Sequence, residues 1–260
     1  MKKIWIGIDV GGTKIKGVAL SSLRSAPERS FVARLPRTFK KFLGVLQHET
    51  DVLAGNDLPA GIGLGLPGTL DYKRGILIHA RNIPFIKNWN ARKFFAQFRA
   101  PVEMDNDSRC FVRAEAMRGA GRGYNNIVGI AIGTGIGGGI LTNGAMYYGA
   151  HGRAGELGRM AIDGKKTFEQ LGAKRAFLKS GNTSKIIGVG VANIINILDP
   201  DVVILGGGGG LSKDVNLKTV RTVAGSYVTR SLRGKTPIVK AELGDFASAI
   251  GAALLFRTDT

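Results

Sequence analysis

The run Gly7-Ile8-Asp9-Val10-Gly11-Gly12-Thr13-Lys14-Ile15-Lys16-Gly17-Val18 returns, without a gap, as Gly129-Ile130-Ala131-Ile132-Gly133-Thr134-Gly135-Ile136-Gly137-Gly138-Gly139-Ile140. Glycine recurs at the first, fifth and eleventh positions, and apolar residues fill most of the others. Each copy reads as an apolar strand, a glycine turn and a second strand, the pattern of a β-hairpin resting on a core. A unit used twice implies two related lobes, each opening with its hairpin. The alternative is a chance likeness between two glycine-rich strands. The 39 glycines follow no three-residue period, so a collagen-like chain is excluded and glycine-dependent turns become the subject.

Around these hairpins the pattern is mixed α/β. Strands are expected at Ile4–Val10, Lys14–Leu20, Ser30–Leu35, Gly61–Leu66, Pro101–Asp105 and Val202–Leu205. Phe39, Phe42, Leu43 and Leu46 recur at helical spacing and predict a helix from Thr38 to Leu53. Asp107 or Ser108 is expected to cap a helix running to Arg118. Ile186, Ile187, Val191, Ile194, Ile195 and Leu198 mark another, closed by Asp199-Pro200. The last helix, Phe246–Phe256, is rich in Ala and Gly and should pack closely on another element. The boundary between lobes is placed near Asp105, giving lobes 1–105 and 106–245, with 246–260 returning to the first.

The remaining composition narrows the function. Hydrophobic residues make up 44% and aromatics 7%, which excludes wholesale disorder and argues against a platform of stacked aromatics for single-stranded nucleic acid. A single cysteine, Cys110, can form neither an internal disulfide nor a thiolate zinc site alone, and reads as a small buried apolar residue. The formal charge of +18 attracts polyanions: nucleic acid, phosphorylated substrate, inorganic polyphosphate or an acidic membrane. The basic residues are scattered rather than gathered in a tail, so a basic background without a dedicated ligand is the other reading. The apolar run after Lys3 ends at Asp9, too soon for a secretory signal, and no stretch approaches the ~18 residues that span a bilayer. A cytoplasmic protein with no membrane partner and no specific nucleic-acid partner is expected.

Three glycine turns each follow an apolar strand: Gly11-Gly12-Thr13, Gly133-Thr134-Gly135 and Gly206 to Gly210. Without Cβ atoms such turns can aim successive N–H groups at phosphate oxygens. No Gly-x4-Gly-Lys-Ser/Thr run is present, and the Gly-x-Gly-x-x-Gly at Gly133 enters a strand rather than a helix, which disfavours a dinucleotide fold. Asp9 stands where the second copy has Ala131. A carboxylate beside a phosphate turn calls for a cation between them, and Mg²⁺ held by Asp9 through water fits; otherwise Asp9 caps its own turn. Asp107 is the candidate base, aiming a hydroxyl in phosphoryl transfer, unless it serves only as a helix cap.

Together Asp9-Val10-Gly11-Gly12-Thr13-Lys14, Gly65-Leu66-Pro67-Gly68, Asn106-Asp107, Gly133 to Gly139 and Gly149 to Met160 resemble, in order and spacing, the ROK family of repressors, open reading frames and kinases. Its enzymes are sugar kinases of the actin/hexokinase/heat-shock ATPase superfamily. The resemblance implies an α/β, two-lobed, ribonuclease H-like fold with an interlobe cleft. It further implies that Asp9, Gly11, Gly12, Thr13 and Lys14 form a first phosphate loop and Gly133, Thr134 and Gly135 a second. Gly206, Gly207 and Gly208 would lie under the nucleoside. Asn106 would bind sugar hydroxyls, Asp107 would act on the 6-hydroxyl, and Asn82, Glu156 and Glu169 would contact sugar. Structural alternatives remain for Glu156, a surface loop acid, and Glu169, a helix-start acid.

Two departures qualify the resemblance. Family members often carry a zinc-binding His followed by a cysteine cluster. Here Arg159 stands at that position and Ala161 to Thr167 holds no cysteine, so zinc is not expected and an Arg159 ion pair is expected to order the loop instead. Between the run Gly172 to Phe177 and the helix at Ser184 the chain is shorter than the family pattern. The resemblance implies a kinase that moves the terminal phosphoryl group of MgATP to the 6-hydroxyl of a glucose-like hexose. Inorganic polyphosphate as donor, a non-catalytic sugar binder and a sugar-responsive regulator are the alternatives. A homodimer is expected through the resemblance alone.

Overall fold

The computed structural model describes residues 2–176 and 182–257. They divide into two compact units, one formed by the residues up to Ala114 together with those from Phe246 onward, the other by Glu115–Asp245.

The first unit opens with β1 (Lys3–Val10), β2 (Lys14–Leu20) and β3 (Arg29–Arg34), joined as an antiparallel meander. The alternate residues Ile4, Ile6, Ile8 and Val10 of β1 are fully buried, the burial of a strand at the centre of a sheet. Helix α1 (Phe39–Ala54) starts at Thr38, whose hydroxyl accepts the Lys41 N–H at 3.4 Å. It buries Phe42, Leu46 and Leu53 at helical spacing. Gly55, at φ 55°, stops it. The chain then crosses to β4 (Leu58–Leu66), parallel to β1. A small sheet of β5 (Thr69–Asp71), β6 (Ile76–His79) and β7 (Lys87–Asn90), then α2 (Ala91–Phe95), leads to β8 (Val102–Asn106), parallel to β4. The main sheet has the order β3-β2-β1-β4-β8. Helix α3 (Asp107–Arg118) follows β8 directly, and the division between the units falls within it.

The second unit repeats the plan. β9 (Ile127–Ile132), β10 (Ile136–Thr142) and β11 (Ala145–Met146) form the antiparallel meander. A hairpin of β12 (Ala161–Asp163) and β13 (Lys166–Thr167) leads into α4 (Phe168–Gly172), and α5 (Thr183–Leu198) crosses to β14 (Val202–Gly206). The glycine run forms a one-turn α6 (Gly207–Gly210), and α7 (Leu217–Tyr227) crosses to β15 (Ile238–Lys240). The sheet order, β11-β10-β9-β14-β15, matches that of the first unit, antiparallel on one side of the opening strand and parallel on the other. The expected pair of hairpins is therefore part of a larger repeat.

The two turns nevertheless differ in length. Val10 pairs with Ile15 in the first hairpin, whereas Ile132 pairs with Ile136 in the second, one residue sooner. The gapless overlay of the two sequence runs holds up to the turn and then slips by one position. Gly138, not Gly139, takes the place of Gly17 opposite the equivalent strand residue.

The chain returns to the first unit as α8 (Ala247–Ala253), which packs on β1 and β4. Its Ala/Gly composition permits near contact of backbones. A Cβ on Gly7 would collide with the Ala249 carbonyl oxygen, one on Gly63 with that of Ala252, and one on Gly251 with that of Cys110 in α3. The shortening expected before Ser184 falls on residues 177–181, which lie outside the described residues. No helix among the described residues is long and apolar enough to cross a membrane.

Because the obstacle at Gly251 is backbone, Gly251→Ala must push α8 off α3. A loss of at least about 2 kcal/mol is expected from overpacking. Urea midpoints of the two proteins measure it, and an unchanged midpoint would contradict the close approach.

Candidate functional site

The candidate side chains of the first unit sit where its parallel strands end, the usual location of ligands in open α/β sheets. Asp9 lies at the end of β1 and Asp107 opens α3 immediately after β8, with β4 between those strands. In register, Gly65 of β4 stands between Asp9 of β1 and Asp105 of β8. A Cβ on Gly65 would lie 3.6 Å from the Asp107 Cα and 3.5 Å from Cys110 Sγ, so little room separates the start of α3 from β4. The two carboxylates interact. Desolvation first and the charge of Asp107 second push Asp9 up to about 8, against the pull of Lys16, although Asp9 as a residue keeps some exposed surface.

The glycine turn after β1 is closed by the Gly11 N–H donating to the Lys14 carbonyl at 2.9 Å, and is fastened to the end of β3 by the Leu35 N–H donating to the Thr13 carbonyl at 2.9 Å. Thr13 and Lys14 are exposed, and Lys14 faces Arg34 across the sheet. Asn82 packs beside the turn, for a Cβ on Gly12 would stand 3.2 Å from the Asn82 Cβ. The first unit thus carries Asp9, Gly11, Gly12, Thr13, Lys14, Asn82, Asn106 and Asp107.

The expected cap of α3 needs correction. Asn106, rather than Asp107 or Ser108, precedes the first turn and accepts the Ser108 N–H on its Oδ1 at 3.0 Å. Asp107 Oδ1 also accepts the Ser108 N–H, at 2.8 Å, and so has a fixed direction.

Behind this junction lies a buried brace that the sequence reading did not pick out. Asp105, 1% exposed, meets Arg109 at 3.3 Å and Arg113 at 3.3 Å, and accepts the Asn106 N–H at 2.8 Å. Arg109 also donates to the Tyr72 hydroxyl at 2.8 Å, beyond β5. Burial is the main cause that raises the Tyr72 phenol above its usual range. The Asp105-x3-Arg109-x3-Arg113 spacing was the available signal, since these positions share one side of a helix and its entry. Burial similarly pushes up the thiol of Cys110, which is buried as expected. Arg109→Met leaves a buried carboxylate short of one partner, and a loss of about 3 kcal/mol is expected. Guanidinium denaturation provides the measurement, and a loss under a third of that would show the brace to be dispensable.

In the second unit, the Gly133 N–H donates to the Gly135 carbonyl at 2.8 Å, closing the turn between β9 and β10. Gly207 and Gly209 lie against the Ile132 backbone, which a Cβ on either would strike, and Gly207 has φ +73°. Only glycine allows α6 to sit so near the second turn. The run from Gly206 is thus the end of β14 and a helical turn, with Gly208 left open.

Glu169, the second residue of α4, accepts the Ile136 N–H on Oε2 at 3.1 Å, and its carboxylate fills the space that a Cβ on Gly135 would need. The Thr167 hydroxyl and the Gln170 side chain cap α4, so Glu169 is free of that task. Glu156 is exposed, in a loop whose Gly155 and Gly158 pack on the β10 backbone. The expected Arg159 ion pair is not found among the described residues. The loop is instead tied by the β12–β13 hairpin, by the Phe168 N–H donating to the Met160 carbonyl at 2.7 Å, and by the buried Phe168 and Leu157 side chains. The site residues therefore fall into two sets, one on each unit. Among the described residues no cluster of three or more His, Cys, Asp or Glu could hold a metal ion.

Comparison with known proteins agrees with this fold. The sequence matches the ROK family over residues 5–173 and 167–259. It is 30% identical to an N-acetyl-D-glucosamine kinase of Photobacterium profundum, over 97% of this chain and 99% of that protein. It is 28% identical to a glucokinase of Halalkalibacterium halodurans, over 97% and 94%. That alignment spans 317 positions against 260 residues here, so the relative carries segments that this chain lacks. Among solved structures, a ROK hexokinase from Thermus thermophilus superposes with a TM-score of 0.81 at 26% identity, over 96% of this chain and 97% of that one. An inorganic polyphosphate/ATP-glucomannokinase from Arthrobacter sp. strain KM does so at 0.75 and 27%, over 97% and 98%. With its repeated sheet, its paired glycine turns and a match along nearly its whole length, this chain belongs to the ROK family.

Proposed function

We propose that the chain is a sugar kinase that transfers the terminal phosphoryl group of ATP to the 6-hydroxyl of a hexose, glucose or its 2-acetamido analogue. The observation that carries the reading is the coupling of Asp107, at the start of α3, with Asp9, at the end of β1 one strand away and beside the glycine turn. The hydroxyl oxygen attacks the terminal phosphorus, the bond from phosphorus to the bridging oxygen breaks, and the hydroxyl proton passes to the Asp107 carboxylate. Such proton transfer supplies ~10²–10⁴-fold, and the larger share of the acceleration comes from aim and from charges on the phosphates. The Ser108 N–H fixes that aim on Asp107, and Asn106 and Asn82 are the neighbouring hydroxyl binders. On the second unit, Glu156 and Glu169 are assigned as further hydroxyl binders.

The residues present fit Mg²⁺. A carboxyl pushed up to about 8 beside a second carboxylate is a pair short of positive charge, which a divalent cation supplies. Asp9 would hold it through water, the phosphates providing the other oxygens. The chemistry such a cation would supply is neutralisation of the charge that develops on the phosphates.

Inorganic polyphosphate is the second donor reading. Lys14, Lys16 and Arg34, which share a patch of the β1–β2–β3 meander beside the first turn, favour it, as does the donor named for the Arthrobacter relative.

A coupled assay of ATP and polyphosphate against glucose, mannose, N-acetylglucosamine and N-acetylmannosamine tests the reading. Asp107→Asn is expected to reduce kcat by at least about 10³-fold while sugar binding persists. Retention of a tenth of the wild-type rate would remove Asp107 from the role of base.

A further inference from the structure

We propose that Arg175 is a donor-binding residue, a guanidinium fixed on the second glycine turn to grip the phosphate chain of the donor. The inference rests on the kinase reading for its ligand, but its geometry stands within the second unit alone. Arg175 donates its Nε–H to the Thr134 carbonyl at 3.2 Å, while the backbone N–H of its neighbour Lys174 donates to the Gly133 carbonyl at 2.9 Å. The segment is thereby stitched to the turn at two consecutive carbonyls. Arg175 is exposed, and among the described residues its two terminal amino groups make no hydrogen bond. An arginine anchored through Nε with its fork unspent presents the planar pair of donors that phosphate oxygens accept.

The turn itself requires such help. Of its four N–H groups, that of Gly133 is taken by the Gly135 carbonyl and that of Ile136 by the Glu169 carboxylate. The N–H groups of Thr134 and Gly135 are the two left without a partner among the described residues. Two N–H groups make a weak anion nest. Moreover, the Glu169 carboxylate, packed against Gly135, places a negative charge close to any anion held there. In the first unit Asp9 raises the same difficulty, and under the proposed reading a divalent cation would answer it. The second copy has Ala131 at that position, so no cation would be recruited in the same way, and a side-chain cation must do the work. Arg175 is the guanidinium bonded to the turn, with Lys174 adding a second charge beside it.

The test uses the full chain with Mg²⁺ and inorganic tripolyphosphate as a binding probe, and steady-state assays for ATP and sugar. Arg175→Ala is expected to weaken tripolyphosphate binding and raise the KM for ATP by about ten- to a hundredfold, as for a lost charge-assisted contact. The KM for sugar should stay within about twofold, Arg175→Lys should recover part of the loss, and the difference should shrink as salt rises. Because the probe reads binding without turnover, a wild-type protein that binds tripolyphosphate but transfers nothing would defeat the kinase reading and leave Arg175 in place. Equal losses for donor and sugar would mean that the side chain only shapes the turn, and would overturn the proposal. So would unchanged donor affinity, or a wild-type protein that binds neither tripolyphosphate nor ATP.

Discussion

Two like charges, one at the end of β1 and one at the start of the helix that follows β8, set the terms for the first unit. Asp9 and Asp107 are separated by the single strand β4, and that strand offers Gly65 at the crossing point, where any side chain would crowd the first turn of α3. The repulsion between the carboxylates, added to desolvation, leaves Asp9 a weak acid. Two carboxylates this close repel one another, and under the proposed reading a cation and phosphates would relieve that repulsion. The Asp105–Arg109–Tyr72 brace keeps Asp107 from relaxing away from its neighbour, since the buried carboxylate fixes the strand residue two positions before it.

Glycine performs a different task in each part of the molecule. In the hairpin turns it leaves the backbone uncovered by side chains; at Gly7, Gly63 and Gly251 it lets α8 lie against two strands and α3 at backbone contact. The same sheet order in both units shows how one plan has been adapted twice. The first copy keeps a carboxylate and a longer turn. The second loses the carboxylate, shortens its turn by a residue and gains Glu169 and Arg175 as outside braces.

Much of this was legible in the residues. The apolar run from Ile4 to Val10, stopped by a glycine turn, announced β1, the helical spacing from Phe39 to Leu46 announced α1, and the Ala/Gly character of the last helix announced close packing without naming its partner. What stayed hidden depends on contacts distant in sequence. The strands of the β5–β6–β7 sheet have three or four residues each, too few to show a period. Glu115 looks like any helical acid, yet it is fully buried and accepts the N–H groups of Ala120, Glu242 and Leu243. Arg175 reads as one more cation in a chain of +18, and only the Thr134 carbonyl sets it apart. The slip between the hairpins was masked because glycines flank both turns, so either register aligns glycine with glycine.

The coupling between the two aspartates can be read directly by carbon-detected NMR titration of the side-chain carboxyls in wild type and in Asp107→Asn, without divalent cation. Asp9 is expected to titrate near pH 8 in the wild type and at clearly lower pH once the charge at residue 107 is gone. An Asp9 that titrates in the ordinary carboxylate range, and does so equally in both proteins, would contradict it.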